Sequence, residues 1–341
     1  MRHEAAMRCF FDPRQLGHAP ALELHNGSFV PFAESPGRAA AILAAIGPAE
    51  AAADQGEAPL RAVHSEAYLA FLRSAHRDWR AAGREGDAAG YAWPVVRRRP
   101  LALDRIDARL GQHSFDASSP IAERTWDGAY WSAQTALGAL DSVLAGEASA
   151  FALCRPPGHH AGADYLGGYC YLNNAAIAAE AARAAGQERV AILDVDYHHG
   201  NGSQDIFYAR GDVLFVSIHA DPRMDYPYFW GHQDETGEGA GEGATLNLPL
   251  PRGTDLGAYL PALDAALAKI ADFAPELLVL SYGADTFAGD PISSFRLETR
   301  DYAVLGARIA ALRLPALIVM EGGYAVDALG GNVASFLEGF S

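Results

Sequence analysis

Cysteine is scarce. The 341-residue chain has three, Cys9, Cys154 and Cys170, and none forms a C-x-x-C pair. An odd count without that spacing argues against a disulfide framework and for free thiols in a reducing compartment, the cytoplasm. Basic charge is also short: 26 Lys and Arg face 42 Asp and Glu, a formal net charge of -16. Such a field repels nucleic acid and anionic membrane and attracts cationic ligands, although part of it is ordinary enzyme acidity. No apolar run approaches the ~20 residues needed to span a bilayer. The opening Met1 to Ala6 is polar and unlike a secretory signal; it reads as an extension ahead of a first strand near Met7. Neither an internal repeat nor a low-complexity linker breaks the chain, so one domain over 7–341 is expected.

What is present is a core. Half of the residues are hydrophobic, with 35 Gly and 19 Pro, as in a globular protein. The chain is organised around Ile192 to Asn201. There the apolar run Val190 to Leu193 turns abruptly into Asp194, Asp196 and His198. On extended backbone, alternate residues face the same way, so these three can converge at the strand's end. Ending an apolar strand in charges needs a reason, because their desolvation is costly. Hard oxygens plus an imidazole suit a divalent metal, zinc among others.

Cys9 to Phe11 reads as a short strand, and 12–34 as irregular. Ser35 and Pro36 open a helix to about Ile46, with Ser35 as its N-cap. Ser65 caps a second helix whose apolar side is Tyr68, Leu69, Phe71, Leu72 and Trp79, with Glu66 in the first turn. Residues 83–124 show no sustained period, an unusual length without an element. They read as a lid, a binding loop or a subunit contact. Their Arg97, Arg98 and Arg99, in an acidic chain, form a solvated or ion-paired loop rather than a nucleic-acid patch.

From Trp126 onwards, helices alternate with short apolar strands. Helices are expected at 126–145, 173–185, 256–273, 301–312 and 327–340. Strands are expected at 150–154, 190–195, 213–219, 277–282 and 316–320, with 246–248 also extended. This rhythm makes an α/β three-layer sandwich, a mostly parallel central sheet covered on both faces. Ligands on such sheets bind at the strands' carboxyl ends, and the polar residues fall there. Arg155, His159 and His160 follow 150–154. Asp196, His198 and His199 follow the 190–195 strand. Ser217 and His219 end 213–219, Asp285 and Thr286 follow 277–282, and Glu321 and Tyr324 follow 316–320.

Asp196, His198 and Asp285 can supply three metal ligands and leave coordination open, the form of a catalytic site. Phe287 stands where a second aspartate would be needed, so a two-metal cluster lacks ligands. Bound water would be acidified towards neutrality. His159 and His160 can supply base and acid, since imidazole titrates near neutral pH. Asp194 and Asn201 are candidates to fix their tautomers. Tyr324, after Gly322 and Gly323, can donate to a developing oxyanion.

Four stretches carry a resemblance: Arg155 to Ala161, Gly167 to Asn174, Asp194 to Gly202, and Glu321 to Tyr324. With them the chain resembles the zinc-dependent deacetylase superfamily of the arginase–deacetylase fold, from about Met7 to the C-terminus, and within it the bacterial acetylpolyamine amidohydrolases. The resemblance implies zinc on Asp196, His198 and Asp285. It implies His160 as general base and acid, His159 as its electrostatic partner, and Tyr324 as carbonyl polariser. It also implies a structural potassium ion on Asp194, Asp196, His198, Ser217 and the Ile218 carbonyl, and a second near Phe207, Arg210 and Val213. Gly168, Tyr169 and Tyr226 match the acyl tunnel, with Ile292 near its mouth. The 83–124 insert would narrow the tunnel and form a homodimer contact.

That branch uses acidic residues at the entrance to recognise a distal ammonium. Glu23 and Asp107 fall at matching positions, while a third acidic position is Ser118, which leaves short diamines open as substrates. Tyr282 stands where the superfamily usually has Leu. The expected reaction is removal of acetyl groups from acetylated polyamines or short diamines such as acetylputrescine or acetylcadaverine. A protein acetyl-lysine deacetylase is the alternative, with identical chemistry and a different entrance.

Overall fold

The chain is described from a computed structural model covering residues 7–94 and 101–341. Arg97, Arg98, Arg99 and Pro100 lie outside the described residues. The N-terminal part holds β1 (Arg8–Phe10), β2 (Leu22–His25), β3 (Ser28–Pro31), α1 (Gly37–Ile46), α2 (Ala58–Arg61) and α3 (Glu66–Ala81). Next come α4 (Ile106–Gln112), α5 (Thr125–Leu144), β4 (Ser149–Ala152), α6 (Asn174–Ala184), β5 (Val190–Asp194) and α7 (Asn201–Phe207). The remainder is β6 (Val213–Ala220), β7 (Thr245–Leu250), α8 (Leu256–Phe273), β8 (Leu277–Tyr282), α9 (Thr299–Ala310), β9 (Ala316–Met320) and α10 (Val326–Phe340).

Among the described residues, seven strands form one sheet in the order β1-β4-β9-β8-β5-β6-β7. Every pairing in it is parallel. Strand side chains alternate between faces, and β5 shows the result. Val190 and Ile192 pack with Leu137 and Ile177 from α5 and α6. Ala191 and Leu193 pack with Leu263, Leu305 and Phe336 from α8, α9 and α10. Both faces are therefore covered, which is why the strands read as unbroken apolar runs.

Local signals start the helices. Ser65 Oγ accepts the Tyr68 amide at 3.3 Å, Asn173 accepts that of Ala176 at 2.9 Å, and Asp255 that of Ala258 at 3.0 Å. Ser35 does not cap α1. The helix begins after Pro36, without a side-chain cap bond, and Ser35 contributes only its carbonyl, to the Arg38 amide at 3.1 Å.

Residues 12–34 are not irregular: β2 and β3 form an antiparallel hairpin. Its turn is Asn26-Gly27, both at positive φ (48° and 81°), the geometry that Asn-Gly adopts readily in two-residue hairpins. The 83–124 segment contains α4 and is pinned by paired backbone bonds between Ala88 and Ile121, at 2.9 and 2.8 Å. Tyr282 is a core residue. Its ring stacks on Phe336 at 4.1 Å and its hydroxyl donates to the Asn332 carbonyl at 3.3 Å.

Candidate active site

The five strands that deliver polar residues, β4, β9, β8, β5 and β6, are contiguous in the sheet. Their carboxyl ends thus share one edge. Asp196, His198 and Asp285 converge there, all buried or nearly so, with potential ligand atoms within 4.8 Å of one another. His198 Nδ1 lies 3.0 Å from Asp285 Oδ2 and 3.3 Å from Asp196 Oδ1. Burial and the Asp196 charge push the Asp285 carboxyl up to about 7, so the cluster favours added positive charge. A Cβ on Gly283 would stand 2.0 Å from Asp196 Oδ2, and one on Gly322 2.4 Å from Asp285 Oδ2. Two glycines thus keep open the space around the carboxylates. Amides orient them: Tyr197 donates to Asp285 Oδ1 at 2.9 Å and Gly322 to Asp196 Oδ2 at 2.8 Å. The donor set and the open space around it fit a divalent ion.

The adjacent imidazoles lie 4.0 Å apart and have different partners. His159 Nδ1 is 2.9 Å from Asp194 Oδ2, whereas His160 Nδ1 is 2.7 Å from Asn201 Oδ1. Burial opposes charge on His159, yet Asp194 and Asp196 hold its pKa up to about 10. His160 is lowered well below the usual imidazole value by burial and by the charges of His159 and His198. The surroundings thus favour charge on His159 and disfavour it on His160. Glu321 braces the pair from below, its Oε2 accepting the amides of Gly158 at 2.7 Å and His159 at 3.2 Å.

Tyr324 follows two glycines, and its loop is gripped from both sides. Arg38, buried on α1, donates to the carbonyls of Glu321 at 2.5 Å and Gly323 at 2.6 Å. Asp290 accepts the amides of Tyr324 at 2.7 Å and Ala325 at 3.1 Å. Burial raises the Tyr324 phenol well above its usual value, so it remains a donor.

A cavity of about 500 Å³ stands over these groups, lined by His160, His198 and Tyr324. Tyr169, Tyr226, Ile292 and Ser118 also line it. Gly168, at φ +54°, lies so close to the His160 ring that a Cβ would come within 2.2 Å. Glu23 is buried behind the wall, where it accepts the Tyr169 hydroxyl at 2.9 Å. Asp107 is not at this cavity. It sits in the first turn of α4, bonded to Arg84 at 2.8 Å and Arg105 at 2.9 Å, because both guanidinium groups face that turn. The acidic wall residue is instead Asp116, which accepts the Gly168 amide at 2.9 Å and the Tyr226 hydroxyl at 2.7 Å.

The residues expected around potassium occupy two places. Ser217 and Ile218 lie on β6, where Ser217 pairs with Asp194 across the ladder and its hydroxyl meets His219 Nδ1 at 2.8 Å. Phe207, Arg210 and Val213 span the turn from α7 to β6; the Arg210 amide donates to the Phe207 carbonyl at 2.9 Å. Asp116, Asp290 and Arg38 carried no visible signal. Asp116 falls in a stretch without periodicity, and the other two act through backbone groups far away in sequence.

The fold and the site together define a deacetylase-type hydrolase. The chain belongs to the histone deacetylase domain family, whose model matches residues 33–340. Acetylpolyamine amidohydrolase 2 of Pseudomonas aeruginosa is 50% identical over 336 residues, 97% of each chain. The acetylpolyamine amidohydrolase of Mycoplana ramosa is 46% identical, covering 98% of this chain and 99% of its own. The crystal structure of acetylpolyamine aminohydrolase from Burkholderia pseudomallei superposes with a TM-score of 0.95 at 46% identity, covering 98% of both chains.

Proposed function

We propose that the chain is a metal-dependent amidohydrolase that removes the acetyl group from acetylated polyamines or short diamines, giving acetate and free amine. The observation that carries this reading is Asp116. It lines the cavity over His160 and Tyr324, and among the described residues no arginine or lysine pairs with it. A carboxylate free of a cationic partner at that wall favours a substrate with a distal ammonium.

A divalent ion, zinc in this reading, would be held by Asp196, His198 and Asp285 and would polarise the amide carbonyl and acidify the attacking water. His160 takes the water's proton at Nε2, because its Nδ1 is turned to Asn201. As the C–N bond breaks, the same nitrogen returns that proton to the leaving amine. Charged His159 beside it favours the negative charge of the tetrahedral stage. Tyr324 donates its hydroxyl to the carbonyl oxygen as charge develops. Tyr169 and Tyr226 flank the substrate chain and exclude water.

The potassium ions, a dimer contact through 83–124 and a cytoplasmic location belong to the same proposal. They rest on resemblance, on the sequence and on three unpaired cysteines. Among the described residues, no helix is long and apolar enough to cross a membrane. The deciding experiment is a turnover panel of acetylputrescine, acetylcadaverine, acetylated polyamines and an acetyl-lysine peptide. Preference for the small cationic amides is expected. Clear preference for the peptide overturns the reading in favour of a protein deacetylase.

A further inference from the structure

The cavity has a second carboxylate whose situation differs from that of Asp116. Asp225, on the loop after β6, lines the same space, as does Arg252 from the turn after β7. Arg252 Nε and Nη2 reach the two oxygens of Asp225 at 2.8 and 2.7 Å. Its Nη2 also donates to the Met224 carbonyl at 3.2 Å. Such a two-pronged arginine–carboxylate pair is fixed in geometry and occupies both oxygens. The pair is also lopsided: the Arg252 side chain is 56% exposed and that of Asp225 only 11%. Its outward pole is therefore positive. Asp116, in contrast, is met among the described residues only by neutral donors: the Gly168 amide, the Tyr226 hydroxyl, and the Ser118 amide and hydroxyl.

We propose that Arg252 is a specificity-determining residue that cancels Asp225 and so favours substrates with one ammonium beyond the acetylated nitrogen over those with two. The inference rests on the amidohydrolase reading above. A monocationic acetyl-diamine places its ammonium within reach of Asp116, the carboxylate that no described cation neutralises. A longer polyamine carries a second ammonium further out, where it meets the exposed guanidinium instead of a free acid. Charges in this partly solvated setting interact weakly and are screened by salt. The effect is therefore one of selectivity and leaves the chemical step alone.

The test uses Arg252→Gln, a substitution at a half-exposed side chain outside the core. The readout is the ratio of kcat/KM for N8-acetylspermidine to that for N-acetylputrescine. The ratio is expected to rise at least fivefold, to be carried by the KM of the dication, and to fall back in 0.5 M salt. Asp225→Asn, which leaves the guanidinium unpaired, is expected to lower the same ratio. A ratio within twofold of the wild type in both variants overturns the proposal while leaving the amidohydrolase reading intact. If the wild-type enzyme hydrolyses no acetylated amine, both fail together.

Discussion

The side-chain oxygen of Asn201 stands 2.7 Å from His160 Nδ1, where the neighbouring His159 has a carboxylate. A neutral partner orients the ring without adding charge, so His160 keeps a low pKa. Asn201→Asp is expected to raise it. The acid limb of the kcat/KM profile should then move to higher pH by about one unit or more, since an adjacent opposite charge shifts a pKa by ~1–3 units. Activity at a fixed pH on that limb falls. An unmoved limb in a full pH–rate profile would show that Asn201 does not tune the base.

Tyr324→Phe removes one oxyanion donor. A kcat loss of ~10²–10³ is expected, the usual effect of deleting such a group, with a small change in KM. The hydroxyl makes no hydrogen bond among the described residues, so thermal unfolding should be unchanged. Steady-state kinetics and a melting curve on the same preparation check both.

Gly322→Ala places a methyl group 2.4 Å from Asp285 Oδ2 and 2.6 Å from Asp196 Oδ2. Metal affinity is expected to fall at least ~10-fold, the scale seen when ligand orientation is disturbed. Chelation of the wild type should abolish turnover, and added zinc should restore it. The variant should remain inactive at the same zinc concentration, with a lower metal content by elemental analysis. Full metal content in the variant would refute the role of this glycine.

His64 is buried and does not line the cavity. Its Nδ1 meets the Gly162 carbonyl at 2.9 Å, and its Nε2 accepts the Asn173 amide at 3.0 Å. Burial lowers its pKa to about 4 from 6.5. The unfolded chain therefore binds the proton first as pH falls. Stability from this group is complete above pH 6.5 and is lost as pH drops towards 4, by about 3 kcal/mol at ~1.4 kcal/mol per unit. His64→Gln should flatten the dependence of melting temperature on pH in that window. An unchanged slope would sink the assignment.

Much of this was legible in the sequence, for reasons that the residues make plain. Buried parallel strands announce themselves as apolar runs, and Val190 to Leu193 ends in the Asp196 and His198 that meet Asp285. His160 and Asn201 belong to separate motifs 41 residues apart, and the sequence offers Asn201 only as one of two candidate partners for the paired histidines. The hairpin did not stand out, although its signal, Asn26-Gly27, was there; β2 is mostly exposed, so the two strands lack an apolar run. Resemblance alone points to Asp107 at the entrance, whereas ion pairs with Arg84 and Arg105 hold it in the first turn of α4. Arg38 and Asp290 were invisible because they bind backbone atoms, which leave no trace in side-chain pattern.

Those two residues grip the same turn with opposite charges: Arg38 takes carbonyls before Tyr324, and Asp290 takes amides at and after it. Two consecutive glycines would otherwise let that turn sample many conformations. Clamped in this way, the phenol is aimed before any substrate arrives, and the entropy of ordering it is lost once, during folding, and not again in every catalytic cycle.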